Sequence, residues 1–165
     1  MYRGVTILSK IFYFNRNSIR QRKLKRRFMS LDKPHNVTLP YMTENDIVYH
    51  KADVWAVLEN DNQNIILYSE KTPRKHRKNI LFYVADFLIF LRKRCKIEYC
   101  QCKGRKDRYD FFQKLYGADF LKVRELVDGE SLYYIHISDA ALRTSREIKK
   151  KCIRRMILCS HRKNG

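Results

Sequence analysis

The chain has 165 residues, 44% of them hydrophobic and 13% aromatic, with 36 Lys plus Arg against 17 Asp plus Glu for a formal charge of +19. Such a hydrophobic share excludes an intrinsically disordered protein, and the length suits one domain with its own core and a short extension. A surplus of positive charge this large repels itself unless anions lie close; nucleic acid is the commonest source of them, followed by anionic membranes or acidic partner proteins.

Residues 1–42 read as a basic N-terminal arm. Its apolar stretch "VTILSKIFYF" (5–14) is interrupted by Lys10 and followed by no small-residue cleavage site, so no secretory signal is expected. No run approaches the roughly 20 apolar residues of a membrane span, and no membrane partner is expected. The lack of any acid before Asp32, with many arginines, also fits a mitochondrial presequence, which stays as a minor alternative. In "NRNSIRQRKLKRRF" (15–28) the apolar positions Ile19, Leu24 and Phe28 make only a thin helical stripe. Arg20, Arg22, Lys23, Lys25, Arg26 and Arg27 are therefore read either as a solvated face or as a polyanion-binding surface.

Residues 43–137 carry the core. "DIVYHKADVWAVLE" (46–59) is rich in β-branched and aromatic residues and predicts one bent strand or two short ones. A turn cluster, "NDNQN" (60–64), leads to a buried strand, "IILYS" (65–69). In "SEKTPRKHRKN" (69–79), Thr72 suits a helix N-cap and Pro73 the first helical position. Ile80, Leu81, Val84, Phe87, Leu88 and Leu91 continue at helical spacing. The first turn nevertheless holds Arg74, Lys75, Arg77 and Lys78, where the helix dipole favours acids. A basic turn at that place is explained by a facing anion, so these four and Asn79 are the candidate phosphate-binding residues. The plainer reading is solvated charge, tolerable at about 0.3–1 kcal/mol each.

"KIEYCQC" (96–102) predicts a further strand, and residues 106–116 a second helix with Tyr109, Phe112 and Tyr116 on one side. Gly117 stands where a left-handed cap is wanted. "DFLKVRELV" and "SLYYIHI" flank "DGE" as a hairpin. The order β-β-α-β-α-β-β predicts an α+β (mixed α/β) domain, a mostly antiparallel mixed sheet flanked by helices. Residues 138–165 predict a basic amphipathic C-terminal helix, capped by Ser138 or Asp139, on which Lys149, Lys150, Lys151, Arg154 and Arg155 are the second candidate nucleic-acid surface. The five cysteines, Cys95, Cys100, Cys102, Cys152 and Cys159, form no disulfide framework and point to a reducing compartment. Cys100 and Cys102 alternate to one side of a strand, but zinc-type spacing is missing and no metal is expected.

The core order, with "KGRKDRYDFFQKLYGADF" (103–120) following a strand, resembles the C-terminal half of the GCN5-related N-acetyltransferase (GNAT) fold. Phe112, Gly117, Ala118 and Phe120 stand where that family's pattern expects them, and "RKHRKN" and "FQKLYGADF" resemble stretches of small GNAT-like proteins of short-tailed bacteriophages. The likeness covers about residues 54–137 and leaves out both basic extensions. It implies an acetyl-CoA cofactor gripped at residues 74–79, with main-chain groups of residues 65–68 along the pantetheine arm. Two departures stand out. The family's phosphate turn carries glycines, and "TPRKHRKN" has none; the family's acidic Tyr position is Gln113, which cannot protonate a thiolate. His76 and Tyr109 remain as weak catalytic candidates, and Glu59 and Glu70 as strand-end carboxylates. The expectation is a non-catalytic GNAT-like phage protein acting near nucleic acid or in a virion, in host cytoplasm or particle. The alternative is an active N-acetyltransferase, and a ribosome-associated protein comes third.

Overall fold

The computed structural model describes residues 14–34, 37, 39, 41–59, 64–70, 80–125 and 131–161. Helix α1 (Ile19–Ser30) precedes strands β1 (Ile47–Lys51), β2 (Val54–Leu58) and β3 (Ile65–Ser69). Helix α2 (Ile80–Lys93), strand β4 (Tyr99–Gly104), helix α3 (Lys106–Tyr116), strands β5 (Leu121–Glu125) and β6 (Ser131–His136) and helix α4 (Asp139–His161) follow. The fold is α+β: two three-stranded antiparallel sheets, ordered β1-β2-β3 and β4-β6-β5, flanked by four helices. Among the described residues the two sheets meet at a single parallel bridge, Asn64 to Gln101.

Residues 46–59 form two strands, because the chain turns at Ala52-Asp53. Ala52 takes a φ of 54°, the left-handed conformation that a two-residue hairpin needs. Alternation then sends Ile47, Tyr49, Ala56 and Leu58 to one face of the first sheet. There they pack with Phe87, Leu88 and Leu91 of α2, Leu142 and Ile148 of α4, and Cys100, Tyr133 and Ile135 of the second sheet. This is the main core. Val48, Trp55 and Val57 point to the opposite face and meet Phe28 of α1 in a second, smaller core.

The stretch read as an arm thus contributes a structural helix. Phe28 is fully buried, with its ring 5.7 Å from that of Trp55. Ser18 caps α1 through its side chain, which accepts from the Gln21 N–H. The buried Gln21 amide then donates to the Val48 carbonyl (2.8 Å) and accepts from the Val48 N–H (2.9 Å). A side-chain amide here takes the place of a neighbouring strand, satisfying the outward backbone groups of the edge strand β1.

Strand β3 is half-buried where a buried strand was expected, because it borders the gap between the sheets. The expected helix start at Thr72 and Pro73 lies outside the described residues; α2 is described from Ile80. Gly117 ends α3 with φ 97° and ψ 165°, a glycine conformation but not the left-handed cap that was expected. Strands β5 and β6 pair antiparallel, Leu121 opposite Ile135 to Glu125 opposite Ser131, while their connection lies outside the described residues.

Candidate functional site

Beyond the Asn64–Gln101 bridge the parallel strands β3 and β4 separate, and the space between them is a cavity of about 470 Å³. Ile66 and Leu67 line it from β3, Ile80 and Val84 from α2, and Gly104 and Tyr109 from β4 and α3. Glu59, Lys103 and Arg105 add charge to a lining that is otherwise mostly apolar. The candidate phosphate-binding residues Arg74, Lys75, Arg77, Lys78 and Asn79, with His76, lie outside the described residues. Ile80, the residue directly after Asn79, is part of the cavity wall.

Tyr109 is the better held of the two α3 candidates. Its ring stacks on the buried Tyr133, centroids 3.3 Å apart, and its hydroxyl donates to the Lys103 carbonyl at 3.1 Å while meeting Cys102 Sγ at 3.1 Å. Burial raises the pKa of the Cys102 thiol, and the Tyr109 contact acts the other way. A Cβ on Gly104 would sit 2.5 Å from the Tyr109 hydroxyl, so the close approach depends on glycine at that position. Gln113 lies one turn further along α3, half-buried, and its carbonyl accepts the Gly117 N–H at the helix end. Of the two strand-end carboxylates, Glu59 reaches the cavity. Glu70 instead accepts a hydrogen bond from the Trp55 indole on the α1 side of the sheet.

That side holds a cluster the sequence did not reveal. The His50 ring stacks on Trp55 at 3.8 Å, with its Nε2 3.8 Å from Glu70 and the Arg27 guanidinium over the indole. Burial, then the Arg27 charge, lower the His50 pKa. No sequence signal marked His50, because its neighbours come from three separate places, Arg27 on α1, Trp55 on β2 and Glu70 just after β3.

The candidate nucleic-acid residues divide by role. Arg20, Arg22, Lys23, Arg26 and Arg27 are exposed on α1, and Lys150, Lys151, Arg154 and Arg155 are exposed on α4. Lys25 is buried, and its ammonium donates to the carbonyls of Arg16 (3.1 Å), Thr43 (2.8 Å) and Glu44 (3.0 Å). Lys149 pairs with Asp86 on α2, whose carboxylate also accepts from Tyr49 and, at 3.1 Å, from Lys51. Burial pushes the Asp86 pKa up, but the bonds from Lys149, Tyr49 and Lys51 together hold it below the usual carboxylate value. Burial and Asp86 push the Tyr49 hydroxyl well up. These two lysines therefore hold α1 and α4 to the body of the fold.

No protein-family model, curated protein or solved structure matches this chain. Among the described residues, no helix is long and apolar enough to cross a membrane.

Proposed function

We propose that this chain is a GNAT-like protein that works by binding polyanions, nucleic acid first among them, as a component close to nucleic acid or within a larger particle. The observation that carries the reading is the division of cations just described. Lys25 and Lys149 serve the fold, and Arg27 also covers the Trp55 indole, while the other exposed cations, four on α1 and four on α4, serve no packing role that explains their single sign. Six to ten phosphate contacts from such surfaces make affinity fall by about 10³–10⁵ between roughly 50 and 200 mM salt. The test is fluorescence anisotropy with a short DNA duplex across that range. A steep slope is expected, and a flat one removes nucleic acid from the proposal. The GNAT-like part rests on the strand order β1-β2-β3 beside β4-β6-β5, with β3 and β4 parallel at one bridge and then apart. The phage setting rests on the sequence resemblance alone.

A second reading is favoured by the cavity, whose place between β3 and β4 suits the pantetheine arm of an acyl-CoA. In that reading an amine attacks the thioester carbonyl, the C–S bond breaks and the CoA thiolate leaves. Glu59 is the cavity carboxylate available to take the amine proton, and Tyr109 the hydroxyl available to the thiolate once it releases the Lys103 carbonyl. Thermal-shift titration with acetyl-CoA and desulfo-CoA beside inorganic pyrophosphate separates the readings. Ligand at about 100 times its Kd adds about 2.7 kcal/mol, a shift of several degrees. Stabilisation by both CoA compounds beyond pyrophosphate supports the cofactor cleft, and no stabilisation by either removes it.

A further inference from the structure

The second sheet has one face in the core and one in solvent. Residues directly opposite each other in an antiparallel pair share a face. Tyr99 opposes His136, Gln101 opposes Tyr134 and Lys103 opposes Leu132; on the other edge Lys122 opposes Tyr134 and Arg124 opposes Leu132. These eight residues form the outer row. The inner row holds Cys100, Leu121, Tyr133 and Ile135, all buried in the main core.

The outer row has an unusual composition for a solvent-facing sheet. Tyr99 is 60% exposed and Tyr134 42% exposed. The Tyr99 and His136 rings lie stacked, 4.6 Å apart and within 7° of parallel, so the imidazole covers one face of the Tyr99 ring and holds it in place. Lys103, Lys122 and Arg124 are exposed along the same row, which contains no acid. Glu98, just before β4, lies 3.3 Å from His136 Nε2 and 3.6 Å from Arg92 Nη2, so its carboxylate is already paired.

We propose that this face is a stacking platform for single-stranded nucleic acid, a reading that rests on the polyanion proposal and names its ligand class. Tyr99 and Tyr134 are the exposed rings on which bases would stack, Tyr99 through the face that His136 leaves uncovered, and their diagonal placement, two residues apart on paired strands, separates the two by about 7–8 Å. Adjacent nucleotides must unstack from each other to use both rings, which a single strand does and a duplex does not. Lys103, Lys122 and Arg124 lie beside Tyr134, where they meet the phosphates of the same strand. Two other anionic surfaces fit less well. An acidic peptide would pair with the cations and gain little from flat rings. A lipid surface calls for protruding aliphatic side chains, and Leu132 is the row's sole aliphatic residue.

The test uses the full chain with a 12-nucleotide single strand, the same strand with abasic sites, a duplex of that length and poly-glutamate, compared at matched salt and repeated at several salt concentrations. The platform requires the single strand to bind more tightly than the duplex, and abasic substitution to weaken it roughly 5- to 150-fold per stacked base lost. Tyr99→Leu with Tyr134→Leu should produce a loss of the same order, Tyr→Phe at both positions should restore affinity, and the salt slope should not move because no charge changes. Equal binding of intact and abasic strands overturns the platform while leaving polyanion binding standing. Poly-glutamate binding with the same dependence on the two rings overturns it in favour of an acidic protein. Failure of every nucleic acid to bind the wild-type chain overturns the polyanion reading itself, and the platform with it. The abasic comparison needs no variant, so a folding defect cannot obscure the result.

Discussion

Replacing Lys25 by Met separates the cations that build this protein from those proposed to face a polyanion. Met keeps most of the buried stem and removes only the ammonium, so packing changes little. The ammonium donates to three carbonyls, that of Arg16 just before α1 and those of Thr43 and Glu44, which tie α1 to the segment leading into β1. Hydrogen bonds with a charged partner contribute about 1.5–3 kcal/mol each, but three shared by one group do not add. The buried charge also carries a desolvation cost, visible in the lowered pKa of Lys25, that the substitution removes. The net expectation is a loss of about 2–4 kcal/mol, which at about 2–4 °C per kcal/mol lowers the midpoint by roughly 4–16 °C. Thermal and urea unfolding followed by circular dichroism measure it, with Arg26→Ala as the exposed neighbour on the same helix. Arg26→Ala should change stability by less than about 0.5 kcal/mol and weaken duplex binding, whereas Lys25→Met should do the reverse. If Lys25→Met is as stable as wild type and loses affinity as Arg26→Ala does, α1 is a binding arm after all and the reasoning fails.

Two further predictions concern the cluster and the cavity. His50 has a lowered pKa in the fold, so the unfolded chain takes up a proton that the native state resists. Its contribution is intact above the unfolded value near 6.5 and is lost as pH falls from there through the lower folded value. Urea midpoints measured between pH 7.5 and 5 should therefore decline more steeply in the wild type than in His50→Gln, and parallel curves would dismiss the linkage. Gly104→Ala places a methyl 2.5 Å from the Tyr109 hydroxyl and 3.0 Å from its ring. The ring is held against Tyr133 and cannot swing freely, so the variant should lose about 1–3 kcal/mol in urea unfolding. Most of that loss should vanish in a Tyr109→Ala background, and an undiminished cost there would mean that the strain lies elsewhere.

How much of this was legible depended on whether the signal was local. The β-branched and aromatic richness of "DIVYHKADVWAVLE", the helical spacing from Ile80 to Leu91 and the two runs that became β5 and β6 each specify their element nearly locally, and those elements formed. The α1 interface was hidden for a specific reason. Its buried stripe is Gln21, Lys25 and Phe28, helically spaced but two-thirds polar, and hydrophobic periodicity cannot detect it. Only the folded chain shows that Gln21 replaces a missing strand and that Lys25 gathers three carbonyls. The cavity was hidden differently. It exists because β3 and β4 touch at one bridge and then part, and no single segment encodes the separation of two strands about 35 residues apart in sequence. Tyr109 was noticed from sequence, yet its hold on Lys103 and its dependence on Gly104 follow from the turn that brings α3 back over β4.

The arrangement of faces also bears on how the basic surfaces relate. Along β3, Asn64 falls in the row of Ile66 and Tyr68, the row of the first sheet that packs against α1. Its bridge partner Gln101 belongs to the row of Tyr99 and Tyr134. The open face of the second sheet therefore continues the face that α1 covers on the first. α4 lies on the other side, packed into the main core with α2. The exposed cations of α1 thus share a side with the proposed platform, and those of α4 do not. A strand seated on Tyr99 and Tyr134 has α1 as its adjacent source of positive charge. The cations on α4 are left to a separate contact, such as a second segment of nucleic acid or an acidic neighbour in a particle. On the proposed polyanion function, this division gives each of the two basic helices, held to the fold through Lys25 and Lys149, a surface of its own.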